Sequence, residues 1–294
     1  MGNKKNITVF GATGKIGAAL LGFLSQAGVP VIAVTRDKSK TVDKPFVEWV
    51  EADMNNPESL YGTMATSKAV FLVSGMGENF VQSQSNVIEV AKEQGVAHFV
   101  KLSSAAVDEN SPFYIPNSFI AKVHGQIETL LKASGIEWTI LQPNGFMQNW
   151  LGELSQTVKK ERKIYEATGD GKRAYIDIRD IAEVAFKVLT EPGNHINKTY
   201  LLTGGEAVNY RQVASTISHV TGEEVTFIPL TTHEARQRME QKGMPQMAIQ
   251  SILAYAVAQR SGNAAFVSNA VEEILHKPAR TVEVFVKDHA DWFN

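Results

Sequence analysis

An α/β fold with a doubly wound parallel sheet and a smaller, mostly helical C-terminal part is what this 294-residue sequence predicts. Three observations predict it. A glycine-rich turn, Gly11-Ala-Thr-Gly-Lys-Ile-Gly17, joins the short apolar run Ile7-Thr-Val-Phe10 to a segment with helical spacing. Further apolar runs rich in β-branched residues then alternate with helical segments through the first half of the chain. After about residue 145 the strand-like runs shorten and helical segments dominate.

The strand candidates are short and almost wholly apolar, as expected of strands buried on both faces of a parallel sheet. They are Val31–Thr35, Ala69–Val73, Ala97–Leu102 and Glu137–Leu141, with Phe46–Val50 as a less buried addition. Between them, Ile16, Leu20, Leu24 and Ala27 share a helical stripe that Gly28 stops. Val81, Val87, Ile88 and Ala91 do the same before Gly95, as do Ile127, Leu130 and Leu131 before Gly135. Alternation of this kind implies right-handed crossovers. In the second half, Ala174–Ile178, Thr199–Leu202 and Val225–Ile228 read as short strands. From Thr232 onward the chain reads as helices broken at Gly243, Gly262 and Pro278. The expected division is a nucleotide-binding domain over residues 1–145, to which later segments return, and a substrate-covering lobe over residues 146–294.

Composition narrows the function classes. A formal charge of -2 leaves no electrostatic footprint for nucleic acid or an anionic membrane surface. The absence of cysteine removes disulfides, thiolate nucleophiles and zinc–thiolate sites. No apolar run approaches the ~20 residues of a membrane span. The chain also reaches its first strand too soon for a signal peptide, so the expected location is cytoplasmic. The histidines show no i,i+3 or i,i+4 pair, and no metal site is expected. Neither a G-x-S-x-G elbow nor a G-x-x-x-x-G-K-[ST] phosphate loop is present.

A strand, a glycine-rich turn and a helix start together bind anions, because the turn exposes backbone N–H groups and the helix adds partial positive charge. Gly11 permits the tight turn, Gly14 lets the backbone approach a pyrophosphate, and Gly17 lets the helix pack closely. Thr13, Lys15 and Ile16 complete the expected contact set. The end of the second strand, Thr35-Arg36-Asp37-Lys38-Ser39-Lys40, distinguishes NAD from NADP. Arg36 can pair bidentately with a 2′-phosphate, with Lys15, Lys38 and Lys40 adding charge, so NADP(H) is the expected cofactor. The other reading is a solvated basic turn in which Asp37 binds the ribose. Asp53-Met54 follows the third strand, where Asp53 either accepts from an adenine or caps the helix near Pro57. Ser74-Gly75, after the fourth strand, either lets the backbone pass the ribose or simply makes a turn.

These motifs, with Ser103-Ser104, His124-Gly-Gln-Ile-Glu128 and Ser134-Gly-Ile-Glu-Trp-Thr-Ile-Leu-Gln-Pro-Asn144, resemble the NmrA-like group of atypical short-chain dehydrogenase/reductases. Within that group the likeness is to members of the quinone oxidoreductase and triphenylmethane reductase type. It continues through Gly169-Asp-Gly-Lys172, Asp180-Ile-Ala182, Leu202-Thr-Gly-Gly205 and Gly243-Met-Pro245. The resemblance implies a Rossmann-type domain with a small C-terminal lobe and a substrate lying over the nicotinamide. It also implies two functions to weigh: hydride transfer to a quinone or similar conjugated acceptor, and a non-catalytic NADP-binding redox sensor acting through a protein partner. A homodimer is compatible with either.

Ordinary members of the superfamily use Tyr-x-x-x-Lys, in which lysine lowers the tyrosine pKa for proton delivery. No tyrosine here has lysine four places on, and Tyr175-Ile-Asp-Ile-Arg179 is the nearest imitation. Matching Glu128 to the usual helix puts Ile120 at the tyrosine position and His124 at the lysine position. Reduction of a ketone needs a proton at a developing alkoxide, whereas conjugated acceptors delocalise the charge and can collect protons from water. His124 is the candidate for orienting the ribose or supplying a proton, against a structural role on its helix. Ser103 ends the fifth strand and contacts cofactor or substrate, or caps the turn. Asn144 hydrogen-bonds beside the nicotinamide, or makes a turn. Phe146, Met147, Trp150 and Tyr165 are candidate cleft walls, and Lys122 reads as a surface lysine. Asp177 and Asp180 form an acid pair, or Asp180 caps a helix Ile181–Thr190.

Overall fold

The computed structural model describes residues 5–294. Strand and helix alternate from the start: β1 (Asn6–Phe10), α1 (Lys15–Gln26), β2 (Val31–Thr35), β3 (Val47–Glu51), α2 (Pro57–Met64), β4 (Ser67–Leu72), α3 (Phe80–Glu93), β5 (His98–Leu102), α4 (Phe119–Ala133) and β6 (Glu137–Pro143). The remainder comprises α5 (Glu153–Glu161), β7 (Lys163–Glu166), α6 (Ile178–Thr190), β8 (Lys198–Leu202), α7 (Tyr210–Thr221) and β9 (Thr226–Pro229). Four helices finish the chain: α8 (Thr232–Gln241), α9 (Gln246–Arg260), α10 (Ala270–Leu275) and α11 (Val282–Asp288).

The main sheet has the order β3-β2-β1-β4-β5-β6-β8, and every ladder from β3 to β6 is parallel. This is the Rossmann-type doubly wound arrangement, in which the strand order reverses between β1 and β4. Strand residues alternate between the two faces. Phe10, Val34, Val70, Leu72, Phe99 and Ile140 share one core with residues of α2, α3 and α4. Their strand neighbours, among them Val9, Ala33, Phe71 and Val100, are also buried, on the side where α1 packs with α6. Each large apolar side chain so buried contributes about 1.5–3 kcal/mol. Leu130 departs from the expected stripe of α4 and is 45% exposed, because Ile127 and Leu131 already cover the sheet.

The chain forms two compact units. One comprises Met1–Val107, Ile120–Pro143 and Ile178–Leu201; the other comprises Asp108–Phe119, Asn144–Asp177 and Leu202–Asn294. Within the second, β7 and β9 pair in parallel, and α5, α7 and α11 enclose a core holding Trp150, Tyr175, Tyr210 and Phe285. A smaller core joins α8 and α9 through Ala235, Met239, Ile249 and Leu253. The expected strand Ala174–Ile178 is not one. Arg173 bridges Val208 and Ile176 bridges Phe146, so single residues from separate loops take the backbone groups, and Ile178 already opens α6.

At the loop after β1, Gly11 has φ +72 and a Cβ there would lie 2.2 Å from the Val73 carbonyl oxygen. A Cβ on Gly17 would lie 2.2 Å from the Gly11 carbonyl oxygen. Backbone on backbone cannot yield as a flexible side chain can. Gly17→Ala is therefore expected to lower stability by about 1–3 kcal/mol in urea unfolding, the scale of overpacking. Gly22→Ala, on the same helix with nothing within 4 Å of its Cβ position, is expected to raise it by up to about 1 kcal/mol.

Candidate functional site

Because β1 to β6 run parallel, the segments following them gather at one edge of the sheet. That edge, at the reversal of strand order, is where ligands bind in open α/β sheets. The loop after β1 arrives there held by its glycine contacts. Gly14 is the N-cap of α1, with no side chain bonded across the cap and no acidic residue in the first turn. Its amide donates to the Gly11 carbonyl at 3.0 Å. The first-turn N–H groups of α1 have no partner inside the helix and carry its positive end. Thr13, Gly14 and Lys15 are exposed beside them, whereas Ile16 and Gly17 are buried and anchor the helix.

After β2, Thr35 and Asp37 build a closed turn. The Thr35 hydroxyl donates to the Asp37 carbonyl at 3.0 Å and accepts from its amide at 3.1 Å. The Asp37 carboxylate accepts from the Ser39 amide and hydroxyl at 3.0 and 2.6 Å and pairs with Lys40 at 3.3 Å. The Ser39 hydrogen bonds hold its pKa below the ordinary value. Arg36 is exposed, and its guanidinium has no hydrogen bond or ion pair with any described residue. After β3, the Asp53 carboxylate accepts from the Asn55 amide and side chain at 2.9 and 3.0 Å. Asn56, not Asp53, is the N-cap of α2. Asp53 closes an Asx-type turn instead. Met54 packs on the core while its carbonyl accepts from Asn86 at 2.9 Å. After β4, Ser74 accepts from Gln84 at 2.9 Å and Gly75 is exposed with open space around it.

The most unusual chemistry lies where β5 meets α4. Lys101 is wholly buried, and its Nζ donates to the Leu102 carbonyl at 2.8 Å and lies 3.1 Å from His124 Nδ1. Burial pushes the Lys101 pKa down to about 7 against the raising charge of Glu128. His124 is pushed down to about 3, by burial first and the Lys101 charge second. A lysine donating to Nδ1 leaves the imidazole proton on Nε2. That nitrogen has no hydrogen-bond partner among the described residues. The ring also meets Phe80 edge-on at 5.0 Å. His124 is thus a neutral N–H donor at ordinary pH, not the source of a titrating proton. The Ser103 hydroxyl is buried and donates to Glu128 Oε1 at 2.5 Å; Gln142 donates to the same oxygen at 2.8 Å, and Lys132 pairs with Glu128 at 3.4 Å. Lys101 is not among the site candidates that motif and spacing pick out, although a lysine inside the apolar run Ala97–Leu102 signals a buried charge. Lys122 is exposed.

In the second unit, Asn144 is buried, donating to the Ala174 carbonyl and accepting from Arg173, both at 3.1 Å. Met147 and Trp150 are buried in the core there, while Phe146 and Tyr165 are half-buried. Asp177 accepts from Gln148 at 2.7 Å. Asp180 is no N-cap: α6 begins at Ile178, which puts Asp180 inside its first turn, fully buried. Among the described residues no group of three histidine, aspartate or glutamate side chains is placed to hold a metal, and no helix is long and apolar enough to cross a membrane.

A parallel sheet with this strand order and an uncapped, glycine-lined helix start at its reversal point defines a Rossmann-type α/β protein. The chain belongs to the NmrA-like family, whose family model matches residues 3–283. It is 32% identical to the NAD(P)H azoreductase of Xenophilus azovorans over 98% of this chain and 99% of the relative. The solved structure of Citrobacter sp. triphenylmethane reductase complexed with NADP(H) superposes with a TM-score of 0.83 at 26% identity, covering 96% of this chain and 99% of that one. An NADPH-dependent quinone oxidoreductase of Escherichia coli has the same fold, with a TM-score of 0.85 at 24% identity over 97% of this chain and 99% of that one.

Two buried imidazoles of the first unit make its stability depend on pH. His98, buried beside Thr139, has its pKa lowered to about 4, chiefly by burial, and His124 to about 3. Below the ordinary value of 6.5 the unfolded chain takes up protons that the folded chain refuses, so stability rises with pH and is lost as pH falls. Urea unfolding at successive pH values below 6.5 is expected to show a loss of up to about 1.4 kcal/mol per pH unit for each ring. His98→Gln is expected to remove one ring's share of that slope.

Proposed function

We propose that the protein is an NADPH-dependent reductase of quinones or similarly conjugated acceptors. The observation that carries this reading is the helix start at Gly14, open to an anion, with a partnerless guanidinium at the end of the neighbouring strand. A pyridine dinucleotide phosphate fits these residues. A Cβ at Gly11 or Gly17 would close up the loop, and none is present. Thr13, Gly14 and Lys15 with the first-turn amides would hold the pyrophosphate. Arg36 would take the 2′-phosphate, since Asp37, the other ribose candidate, is spent on its own turn. Asp53, Met54, Ser74 and Gly75 would line the adenosine side. The reduced nicotinamide supplies a hydride when bound.

The remaining work falls to the chain's own groups. His124 would present Nε2–H to a ribose or acceptor oxygen, as a donor that keeps its proton. Lys101 fixes the ring's tautomer from behind, and Ser103, bound to Glu128, would shape the wall of the site. A neutral donor without a strong acid suits an acceptor that spreads incoming charge over a conjugated frame. The relatives named as an azoreductase and a triphenylmethane reductase support this choice of acceptor.

Two measurements test the reading. Arg36→Ala is expected to weaken NADPH binding by about 1.5–3 kcal/mol, the scale of hydrogen bonds to charged groups, and NADH binding far less. Equal losses for both would assign Arg36 to the adenine. In the second, loss of nicotinamide absorbance is followed with NADPH and a panel of quinones and azo compounds. Turnover is expected with at least one. Tight NADPH binding with no turnover of any acceptor is the outcome expected of a redox sensor and would replace the enzyme reading.

A further inference from the structure

The second unit contains a cleft of about 170 Å³, lined from that unit alone and lying between its two cores. One wall is apolar and adaptable: Leu230, Met239, Met244 and Leu253 belong to the core around α8 and α9. Methionine side chains accommodate varied shapes. The facing wall carries Trp150 and Tyr210. Between them sits Glu166, the last residue of β7, whose position is locked where its carbonyl accepts from the Leu230 amide at 3.0 Å.

The charges around the cleft are unevenly satisfied. At its rim Arg238 stacks 4.1 Å from the Tyr165 ring centroid and lies 3.9 Å from the Glu153 carboxylate, which Lys242 also engages. Both rim cations are therefore committed to Glu153. Glu166 has no cation partner among the described residues; the nearby Ala167 amide and Tyr210 hydroxyl favour its ionised form only weakly against burial. The Tyr210 hydroxyl lies 3.0 Å from that of Tyr175, which donates to Gln259 at 2.9 Å. Burial, with the Glu153 charge second, raises the Glu166 pKa to about 7. A carboxyl facing an apolar cleft is costly to ionise without a counterion. A ligand bringing its own positive charge removes that cost, and aromatic faces add cation–π attraction.

We propose that this cleft binds an organic cation with an apolar body, its ammonium resting on the Glu166 carboxylate and its body lying between Trp150 and the methionine-lined wall. The ligand class is an aryl or alkyl amine, and no residue of the glycine loop or of the Arg36 turn lines the cleft.

Calorimetric titration of the full chain with phenylbutylamine and with phenylbutanol, its neutral counterpart, tests this. Above the Glu166 midpoint of about 7 the amine is expected to bind at least tenfold more tightly than the alcohol. Below it, amine binding is expected to expel a proton, read as a dependence of the heat on the buffer's ionisation enthalpy. Glu166→Gln is expected to erase the amine's advantage while leaving alcohol binding unchanged, and Leu253→Trp is expected to abolish both by filling the cleft. Equal affinities for amine and alcohol in the unaltered protein, or no saturation by the amine at millimolar concentration, would overturn the proposal. Should Glu166→Gln fail to fold, the proton release and the amine-to-alcohol ratio of the unaltered protein decide the matter.

Discussion

Contact between bare backbones at the end of β1 is the constraint on which the first unit depends. Gly11 lies against the carbonyl of Val73, and Gly17 lies against the carbonyl of Gly11. Two close approaches in series bring the start of α1 to the reversal point of the sheet. Any side chain at either position would push the helix outward and carry its positive end away from the edge where the strands finish. The same contacts fix how Ile16, Leu20 and Leu24 meet the sheet, so core packing and the placing of the helix's positive end share one geometric cause.

A second constraint is the price of burying ionisable groups where β5 meets α4. Lys101 escapes full desolvation only through the Leu102 carbonyl and His124, and His124 stays neutral chiefly because it is buried and secondarily because a cation lies behind it. Glu128 gathers Ser103, Gln142 and Lys132 around one carboxylate. The arrangement replaces an acidic group with a neutral donor of fixed tautomer. Such a donor can orient an oxygen without protonating it, which matches acceptors that stabilise charge internally.

The second unit solves a different problem. It has two small cores instead of one, and their boundary leaves a cleft with a carboxyl group in its wall. Single residues, not strands, tie its loops together: Arg173 to Val208 and Ile176 to Phe146. Tyr175 packs edge-to-face on Trp150 at 4.9 Å and on Tyr210 at 6.0 Å, so much of its aromatic content is structural and only part of it borders open space.

Legibility followed the range of the interactions. The strand–turn–helix at Gly11–Gly17, the strand runs of the first half, the helical carboxy-terminal stretch and the exposed Arg36 could be read from neighbours in sequence. Asp53 and Asp180 could not be placed, because a cap shifts by a few residues once tertiary packing extends a helix, as at Ile178, or a turn closes early, as at Asn55. The run Ala174–Ile178 has strand composition but no strand beside it to pair with. Lys101 takes its character from burial and a partner 23 residues away, and Glu166 takes its own from burial beside Glu153. By itself the sequence determined periodicity, turn chemistry and the charge at the end of each strand, all properties of residues within a few positions of one another. Which carboxylates are spent, which imidazole is neutral and where a cleft remains were decided only by tertiary structure, because desolvation and pairing depend on groups that folding alone brings together.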